Sequence, residues 1–279
     1  MSVLIKLREY RTLPEAENQV RNFILKNSKD VINMTIYELA KSSYTSTATI
    51  VRLCKKIDVK GFNKLKIMIA SEIKSFDDLH FDILDTTSIH KDETTHEIIE
   101  KITNITIKSV EETKMLVDEE LMIKIAKLMN EAIIIDFYGV GASNIVALDA
   151  TYKFMRIGKL VASYSLYDRQ YVQAVNSTNQ HVGVIFSYSG NTKEMVAIAK
   201  ILQKNNTPFI TVTCSTSNQL NKIGDMNLFV SSKETVFRSG AMSSRTSQLF
   251  IVDLLYALCC SLDYDNSQIS VNKTRISSE

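Results

Sequence analysis

The chain has 279 residues, of which 45% are hydrophobic and 23% are charged, and its mean hydropathy is −0.03. This length and composition are typical of a folded protein with two domains or one large one, and they exclude a wholly disordered chain. The net charge of +2 conceals an excess of basic residues in positions 1–75, where 14 lysines and arginines stand against 7 acidic residues. A basic amino-terminal segment on an acidic remainder indicates contact with a polyanion.

The sequence gives no indication of secretion or of membrane insertion. No apolar stretch reaches the roughly 18 residues that cross a bilayer, and the most apolar segment, 249–262, carries Asp253. The amino terminus lacks the apolar core and the cleavage site of a signal peptide. We therefore expect a cytoplasmic protein that does not contact the membrane. The four cysteines lack metal-ligand spacing, so we predict reduced thiols, no metal and no cofactor: Cys54, Cys214, Cys259 and Cys260.

Helices joined by short turns are predicted for the first 130 residues, which contain only Pro14 and Gly61 as helix-breaking residues. Pro14 suits the first turn of a helix that runs to about Lys26. Thr35-Ile36-Tyr37-Glu38 matches a capping box and predicts the start of a second helix of about two turns.

A turn over residues 42–45 separates this helix from a third one, which Ser46 caps and which runs from Thr47 to about Ile57. A fourth helix begins near Gly61. Two short helices with a tight turn between them are typical of a helix-turn-helix, whose second helix enters the major groove of DNA. The alternative interpretation is a small helical bundle with a basic face.

Small polar residues and arginine can contact base edges, whereas lysines bind phosphates. The predicted base-contacting residues are Ser46, Thr47, Ala48, Thr49 and Arg52. The predicted phosphate-contacting residues are Lys55, Lys56, Lys60 and Lys64. The predicted partner of this segment is double-stranded DNA.

Residues 76–95 lack apolar periodicity and are predicted to be a linker, and helical periodicity resumes over 96–130. Short β-branched segments then alternate with helical ones. The predicted strands are 132–138, 160–162, 182–187, 209–213 and 228–230. The predicted helices are 143–156, 168–177, 191–204, 217–223 and 243–262. This alternation predicts an α/β domain, residues 96–264, with a five-stranded parallel sheet flanked by helices. Residues 265–279 are predicted to be a polar, frayed tail.

Two loops follow predicted strands and open predicted helices, namely Gly139-Val140-Gly141-Ala142-Ser143 and Ser187-Tyr188-Ser189-Gly190-Asn191-Thr192. Helix amino termini at the carboxyl edge of a parallel sheet favour an anion. A dinucleotide is disfavoured because Asn144 stands where the third glycine of its motif would be. A sugar phosphate fits both loops, and the alternative interpretation of the second loop is a capped turn.

A third loop, residues 234–248, is predicted to line the same cleft. Its Glu234 can accept hydrogen bonds from sugar hydroxyls, or can instead form a surface ion pair with Arg238. The predicted phosphosugar-binding residues are Gly141, Ser143, Ser187, Ser189, Gly190, Asn191, Thr192, Glu234 and Ser244.

The order of these motifs resembles the RpiR family of bacterial transcriptional regulators, which have a helix-turn-helix domain followed by a sugar isomerase (SIS) domain. The matching segments are 34–40, 48–56, 60–66, 139–143, 153–158, 186–190 and 238–249. The resemblance implies a helix-turn-helix domain at 1–75 and an SIS domain at 96–264. It further implies a homodimer or homotetramer that regulates carbohydrate metabolism by sensing a phosphosugar effector, with Ser143, Ser187, Ser189 and Thr192 holding the phosphate. Asp58 departs from the family pattern, because a glycine commonly follows the recognition helix.

Two other functions remain open from the residues alone. A phosphosugar aldose–ketose isomerase needs a general base near the substrate carbon, and the candidates are Glu234, Glu194 and His181. Because no acid–base pair stands out, we predict no catalytic residues and no enzyme. A sugar-phosphate-binding protein that does not bind DNA is disfavoured by the basic amino-terminal segment.

Overall fold

The computed structural model of the chain describes residues 3–10, 13–78, 91, 93–224, 226–231 and 241–275, without the side chains of residues 9 and 73–78. The chain divides into two compact units, Met1–Thr87 and Ser88–Glu279. Residues 79–90 and 92, which make up most of the predicted linker, lie outside the described residues.

All the regular secondary structure in the described part of the first unit is helical, as the sequence predicts. Its helices are α1 (Val3–Glu9), α2 (Glu15–Lys26), α3 (Ser28–Val31), α4 (Ile36–Ser42), α5 (Thr47–Lys56) and α6 (Gly61–Asp78). Helix α1 is not predicted from the sequence, because its apolar residues are nearly consecutive and give no helical period. It is fixed by distant contacts instead, since the backbone N–H groups of Val3 and Leu4 donate to the carboxylate of Glu72 at 2.6 and 3.0 Å.

The second unit begins with two helices and continues as alternating strands and helices. The two helices are α7 (Thr95–Leu116) and α8 (Glu119–Glu131). The strands are β1 (Ile134–Gly139), β2 (Leu160–Ser163), β3 (His181–Phe186), β4 (Phe209–Cys214) and β5 (Met226–Val230). The later helices are α9 (Ala142–Arg156), α10 (Tyr167–Asn176), α11 (Lys193–Lys204), α12 (Gln219–Ile223), α13 (Met242–Leu262) and α14 (Tyr264–Lys273).

All five strands pair in parallel, in the order β2-β1-β3-β4-β5, which confirms the predicted sheet. Two apolar clusters cover its two faces. One contains buried residues of α8, α9 and α13, among them Phe154 and Leu255. The other contains buried residues of α10 and α11, among them Ala174 and Ile198. Helices α9 and α11 therefore lie on opposite faces of the sheet.

The carboxyl-terminal segment differs from the prediction of a frayed tail. Residues 264–273 form α14, whose Ser267 is buried and whose Val271 packs against the core beside α9. The sequence does not predict this helix, because its residues are mostly polar and only one side of it contacts the domain, so no clear apolar periodicity is present.

Helix α13 is the one helix among the described residues that is long and apolar enough to cross a membrane by these two criteria. One side of it is already part of the folded domain, because Ile251, Val252, Leu255 and Cys259 are buried in the sheet-covering cluster. The apolar character of α13 is thus explained in part by its packing within the domain.

The cysteines are free thiols, of which Cys54, Cys214 and Cys259 are buried and Cys260 is half-buried. Burial raises the pKa of the Cys54 thiol to about 11 and that of Cys259 to about 12. Both groups are therefore protonated, packed apolar side chains at neutral pH.

Candidate functional site

Helix α4 begins at the predicted capping box, which is fully formed. The N–H of Glu38 donates to the hydroxyl of Thr35 at 3.2 Å, and the N–H of Thr35 donates to the Glu38 carboxylate at 2.6 Å. Hydrogen bonds from Thr35 lower the pKa of Glu38, because they favour its charged form.

The turn between α4 and α5 is held by backbone hydrogen bonds. The N–H of Tyr44, which has a left-handed φ of 53°, donates to the carbonyl of Lys41 at 3.2 Å, and the next N–H, that of Thr45, donates to Ala40 at 2.8 Å. This pair of bonds is the Schellman pattern of helix ends. Ser46 then accepts the N–H of Thr49 and caps α5. The predicted helix, turn and helix are confirmed.

Helix α5 presents one buried and one exposed side. Ile50, Leu53 and Cys54 are buried. The exposed residues of α5 are Ala48, Val51, Arg52, Lys55 and Lys56, and Ser46, Lys60 and Lys64 nearby are also exposed. Among the predicted base-contacting residues, Thr47 is half-buried.

Thr49 differs from its predicted role in base contact. It is 3% exposed, and its hydroxyl is bonded to that of Ser46 at 2.9 Å. The structure therefore gives Thr49 an internal capping role, since a buried hydroxyl cannot reach a base edge. Val51, by contrast, is exposed on α5 but is not among the predicted DNA-contacting residues. The sequence could have indicated it, because Val51 is an apolar residue outside the buried side formed by Ile50, Leu53 and Cys54.

A buried acid from α2 organises two cations of α5. The Glu17 carboxylate accepts the Lys56 ammonium at 2.5 Å and lies 3.5 Å from Nε of Arg52. Nη2 of Arg52 also donates to the Thr49 hydroxyl at 3.1 Å. Arg52 is thus held in position while its side chain remains 58% exposed. The sequence analysis does not identify this pairing, because Glu17 and the two cations are more than 30 residues apart in the chain.

The end of α5 tolerates the residue that departs from the family pattern. Asp58 has a left-handed φ of 63°, and its N–H donates to Lys55 at 3.2 Å. The following N–H, that of the buried Val59, donates to Cys54 at 2.8 Å. The helix therefore ends in the same backbone geometry that a glycine would adopt.

In the second unit, the strand order reverses between β1 and β3. These strands are neighbours whose last residues, Gly139 and Phe186, are paired. The chain leaves β1 toward β2 on one side and leaves β3 toward β4 on the other. In open parallel sheets, ligands bind at this reversal, beyond the carboxyl ends of the strands. The two predicted loops both begin here, and we call the space between them the β1–β3 crevice.

The first loop of the crevice needs its glycines. A Cβ on Gly139 would lie 2.5 Å from the backbone oxygen of Ser143, so the chain turns too closely for any other residue. Gly141 has φ 60° and ψ −127°, and it begins α9 without a side-chain cap. The Ser143 hydroxyl donates to Oε1 of Gln248 at 3.2 Å, which brings α13 to the same loop.

The second loop brings its hydroxyls together. Ser187 is buried, and its hydroxyl lies 3.0 Å from that of Thr192. Thr192 precedes α11 but makes no side-chain capping bond, whereas within the loop the N–H of Asn191 donates to the Ser189 hydroxyl at 3.3 Å, so the capped-turn interpretation remains open. Gly190 has φ 62°, and a Cβ there would lie 2.0 Å from the amide oxygen of Asn218. Ser189 is half-buried and Asn191 exposed.

Gln248 is a residue of this region that the sequence did not single out. It is 1% exposed, and its Nε2 atom has no hydrogen-bond partner among the described residues. A buried amide donor beside Ser143 is a group that in folded proteins nearly always has a hydrogen-bond partner. The only sequence signal is a glutamine in an apolar helical segment.

The remaining candidates are distributed as follows. Glu234 and Arg238 lie outside the described residues, and Ser244 is buried in the first turn of α13. Glu194 is half-buried in the first turn of α11. His181 lies at the amino end of β3, opposite the crevice, where its Nδ1 atom is 2.7 Å from the buried Asp136. The structure thus brings Gly141, Ser143 and residues 187–192 to one edge and separates His181 from them.

Comparison with family models identifies both units. The model described as "Helix-turn-helix domain, rpiR family" matches residues 1–75, and the SIS domain model matches residues 128–258. An HTH-type transcriptional regulator of Caldanaerobacter subterraneus is 36% identical over 265 residues, which are 95% of this chain and 92% of that protein. Another, from Clostridium perfringens, is 33% identical over 247 residues, with 87% and 86% covered.

Similar folds occur among solved structures. The Vibrio vulnificus NanR protein, solved in complex with ManNAc-6P, has a TM-score of 0.61 and 26% identity, with 97% of this chain and 96% of that chain covered. The sugar isomerase domain of an RpiR transcription factor from Sphaerobacter thermophilus has a TM-score of 0.57 at 13% identity, covering 63% of this chain and 97% of that domain. The chain belongs to the RpiR family of HTH-type transcriptional regulators, with an amino-terminal helix-turn-helix domain and a carboxyl-terminal SIS domain.

Proposed function

We propose that this regulator binds a phosphosugar in the β1–β3 crevice and that the ligand changes its affinity for a DNA operator. The observation that carries the proposal is the pairing of Gly139 with Phe186, which sets the two glycine-containing loops side by side. Helices α9 and α11 both begin there without a side-chain cap. Their first backbone N–H groups and their helix dipoles favour an anion.

The side chains at the crevice add donors suited to a phosphosugar. The hydroxyls of Ser187 and Thr192 and the Gln248 amide, whose Nε2 atom has no hydrogen-bond partner among the described residues, are all neutral donors. Each hydrogen bond to a charged group contributes about 1.5–3 kcal/mol, so a few of them support micromolar binding. Ser143, Ser189, Gly190 and Asn191 complete the proposed site among the described residues, with Gly141 and Ser244 beside it. The NanR structure, which contains ManNAc-6P, supports a phosphosugar as the class of ligand.

We assign operator contact to the exposed side of α5. Ala48 and Val51 offer small apolar contacts to thymine methyl groups, and Arg52 offers a bidentate guanine contact. Lys55, Lys60 and Lys64 supply phosphate contacts. Lys56 forms an ion pair with Glu17, so we expect it to contribute less to phosphate binding than the other lysines.

The same proposal includes a homodimer, or a homotetramer built from it, because a helix-turn-helix protein commonly reads two half-sites as a dimer. Helix α9 has a second apolar face in addition to the buried one. Ile145, Leu148, Tyr152 and Met155 recur at helical spacing and are 43–66% exposed. We call this face the α9 stripe. A surface of this kind marks an interaction site.

A second copy of this chain is the partner that suits the α9 stripe. A two-fold interface must be complementary to itself, and the four apolar side chains of the stripe meet that requirement without repulsion. Lys153, which follows Tyr152 in α9, is held by ion pairs with Asp149 at 2.9 Å and with Asp253.

We further propose that this cytoplasmic regulator has no isomerase activity. Its relatives are named transcriptional regulators, and His181 is bonded to Asp136 at the edge of the sheet opposite the crevice. A turnover assay with a panel of hexose and pentose phosphates tests this part, and conversion of any of them at an enzymatic rate would contradict it.

Thermal stabilisation by the same panel tests ligand binding. A ligand at 100 times its dissociation constant adds about 2.7 kcal/mol to the stability of the unit that binds it. We expect at least one phosphosugar to stabilise the protein and its unphosphorylated counterpart to have no effect. Equal stabilisation by the two sugars would contradict a phosphate-binding crevice.

A further inference from the structure

Tyr44, in the turn between α4 and α5, has an unusual combination of backbone geometry and exposure. Its φ of 53° lies in the left-handed region, yet its side chain is 92% exposed. Left-handed geometry is adopted readily by glycine and tolerated by asparagine, but it is unfavourable for a bulky aromatic residue.

The described residues of the domain offer no contact that explains why a tyrosine occupies this position. The turn itself requires only the backbone, whose bonds from Tyr44 to Lys41 and from Thr45 to Ala40 would form equally well with glycine or asparagine. A ring that is 92% exposed gains almost no packing energy in return for the strain. Backbone strain that the fold does not require tends to occur at functional sites.

The position of Tyr44 identifies the partner. It lies two residues before Ser46, the cap of the recognition helix α5. When the beginning of such a helix enters the major groove and the preceding helix crosses the backbone, the turn between them lies at the edge of the groove, next to the sugar–phosphate chain. Tyrosine hydroxyls are among the side-chain groups that donate to phosphate oxygens.

We propose that Tyr44 is a DNA-contacting residue whose hydroxyl donates a hydrogen bond to a backbone phosphate beside the recognition helix. The inference rests on DNA binding by α4 and α5. It adds a contact that differs in kind from those of the lysines, because the phenol is neutral and releases no counterion when it binds.

This difference gives the contact a distinctive salt dependence. A lysine that neutralises a phosphate contributes about 0.9 to the slope of log affinity against log salt concentration. Loss of Tyr44 contact therefore lowers affinity by the same factor at every salt concentration. Loss of a lysine contact lowers both the affinity and the slope.

The test uses the full chain and a duplex that the wild-type protein selects from a random-sequence library. Tyr44→Phe keeps the backbone strain and removes the hydroxyl, and we expect about a tenfold loss of affinity, the value of one hydrogen bond to a charged group, with an unchanged salt slope. Tyr44→Asn removes the contact and relieves the strain. We expect it to bind as weakly as Tyr44→Phe, while hydrogen exchange of the α4 and α5 amides becomes slower than in the wild type.

Two control variants separate the contact from other effects. Asp58 is the other exposed residue of this helix pair with a left-handed φ. Asp58→Asn keeps a side chain of similar size and removes a negative charge, so it should not weaken DNA binding. Lys55→Ala should lower the salt slope, unlike the Tyr44 variants. Wild-type affinity in Tyr44→Phe, or exchange in Tyr44→Asn that is no slower than in the wild type, overturns the proposal. Failure of the wild type to select any duplex would instead refute DNA binding by the chain.

Discussion

At the scale of single residues, the proposed phosphosugar site includes the Ser187 hydroxyl, which is buried and bonded to Thr192. We predict that Ser187→Ala weakens phosphosugar binding about tenfold, because one hydrogen bond to a charged group is lost. Isothermal titration with the phosphosugar found in the stabilisation panel measures the effect. Ser217→Ala, which removes an exposed hydroxyl in the loop after β4, is the matched control. Equal affinities of the two variants would exclude Ser187 from the site.

Two cations of α5 should behave differently in DNA binding. Because Arg52 is the candidate for base recognition, we expect Arg52→Ala to reduce the ratio of operator affinity to non-specific affinity while phosphosugar binding is unchanged. Lys55→Ala should weaken binding to all sequences alike and lower the salt slope by about 0.9. Fluorescence anisotropy with the selected duplex and a scrambled one measures both. If Arg52→Ala weakened the two duplexes equally, Arg52 would be a structural partner of Glu17 and not a base reader.

Single residues also mark the limit of sequence prediction. The serines and glycines of both loops could be placed at the carboxyl edge of the sheet from the sequence alone, because a strand, a loop and a helix that follow one another are recognised from neighbouring residues. Gln248 and Glu17 could not be identified, because their roles arise from contacts with Ser143 and with Arg52 that are distant in sequence. Thr49 was assigned to base contact because it lies among the small polar residues at the start of α5, whereas its burial and its bond to Ser46 become apparent only in the folded structure.

At the scale of elements, two capping boxes start helices in different units. Thr35 caps α4 and Thr94 caps α7, each with a glutamate three residues later. Loss of such a cap costs about 1 kcal/mol. We predict that Thr35→Ala speeds hydrogen exchange only in the first unit and Thr94→Ala only in the second, as measured by mass spectrometry of peptides. Faster exchange in both units from either substitution would contradict separate folding units.

The strands and helices of the sheet domain could be predicted because their periodicities differ and glycine loops separate them. The elements that were missed have no such signal. The first N–H groups of helix α1 are bound by the carboxylate of Glu72. Helix α14 is polar, and only one side of it packs against the domain. Both depend on tertiary contacts, which override local composition.

At the scale of the whole molecule, the α9 stripe should hold two copies of the chain together. We predict that Leu148→Glu converts the assembly to monomers, because a charge buried in an apolar two-fold interface faces its own copy. Sedimentation velocity measures the change. Ile107→Glu, at a residue of α7 that is 50% exposed, is the control and should leave the assembly intact. A wild-type protein that sediments as a monomer would refute the interface itself.

Coupling between the two units cannot be derived from either unit alone. If a phosphosugar alters operator affinity by some factor, thermodynamic linkage requires the operator to alter phosphosugar affinity by the same factor. The ligand must therefore bind differently to the DNA-competent and DNA-incompetent arrangements of the protein.

The most direct test is operator affinity measured by fluorescence anisotropy with and without the stabilising phosphosugar, in the wild type and in Ser187→Ala. We predict a several-fold change in wild-type affinity, in either direction, and a smaller change at the same ligand concentration in Ser187→Ala. A phosphosugar that saturates the crevice and leaves operator affinity unaltered in the wild type would contradict it.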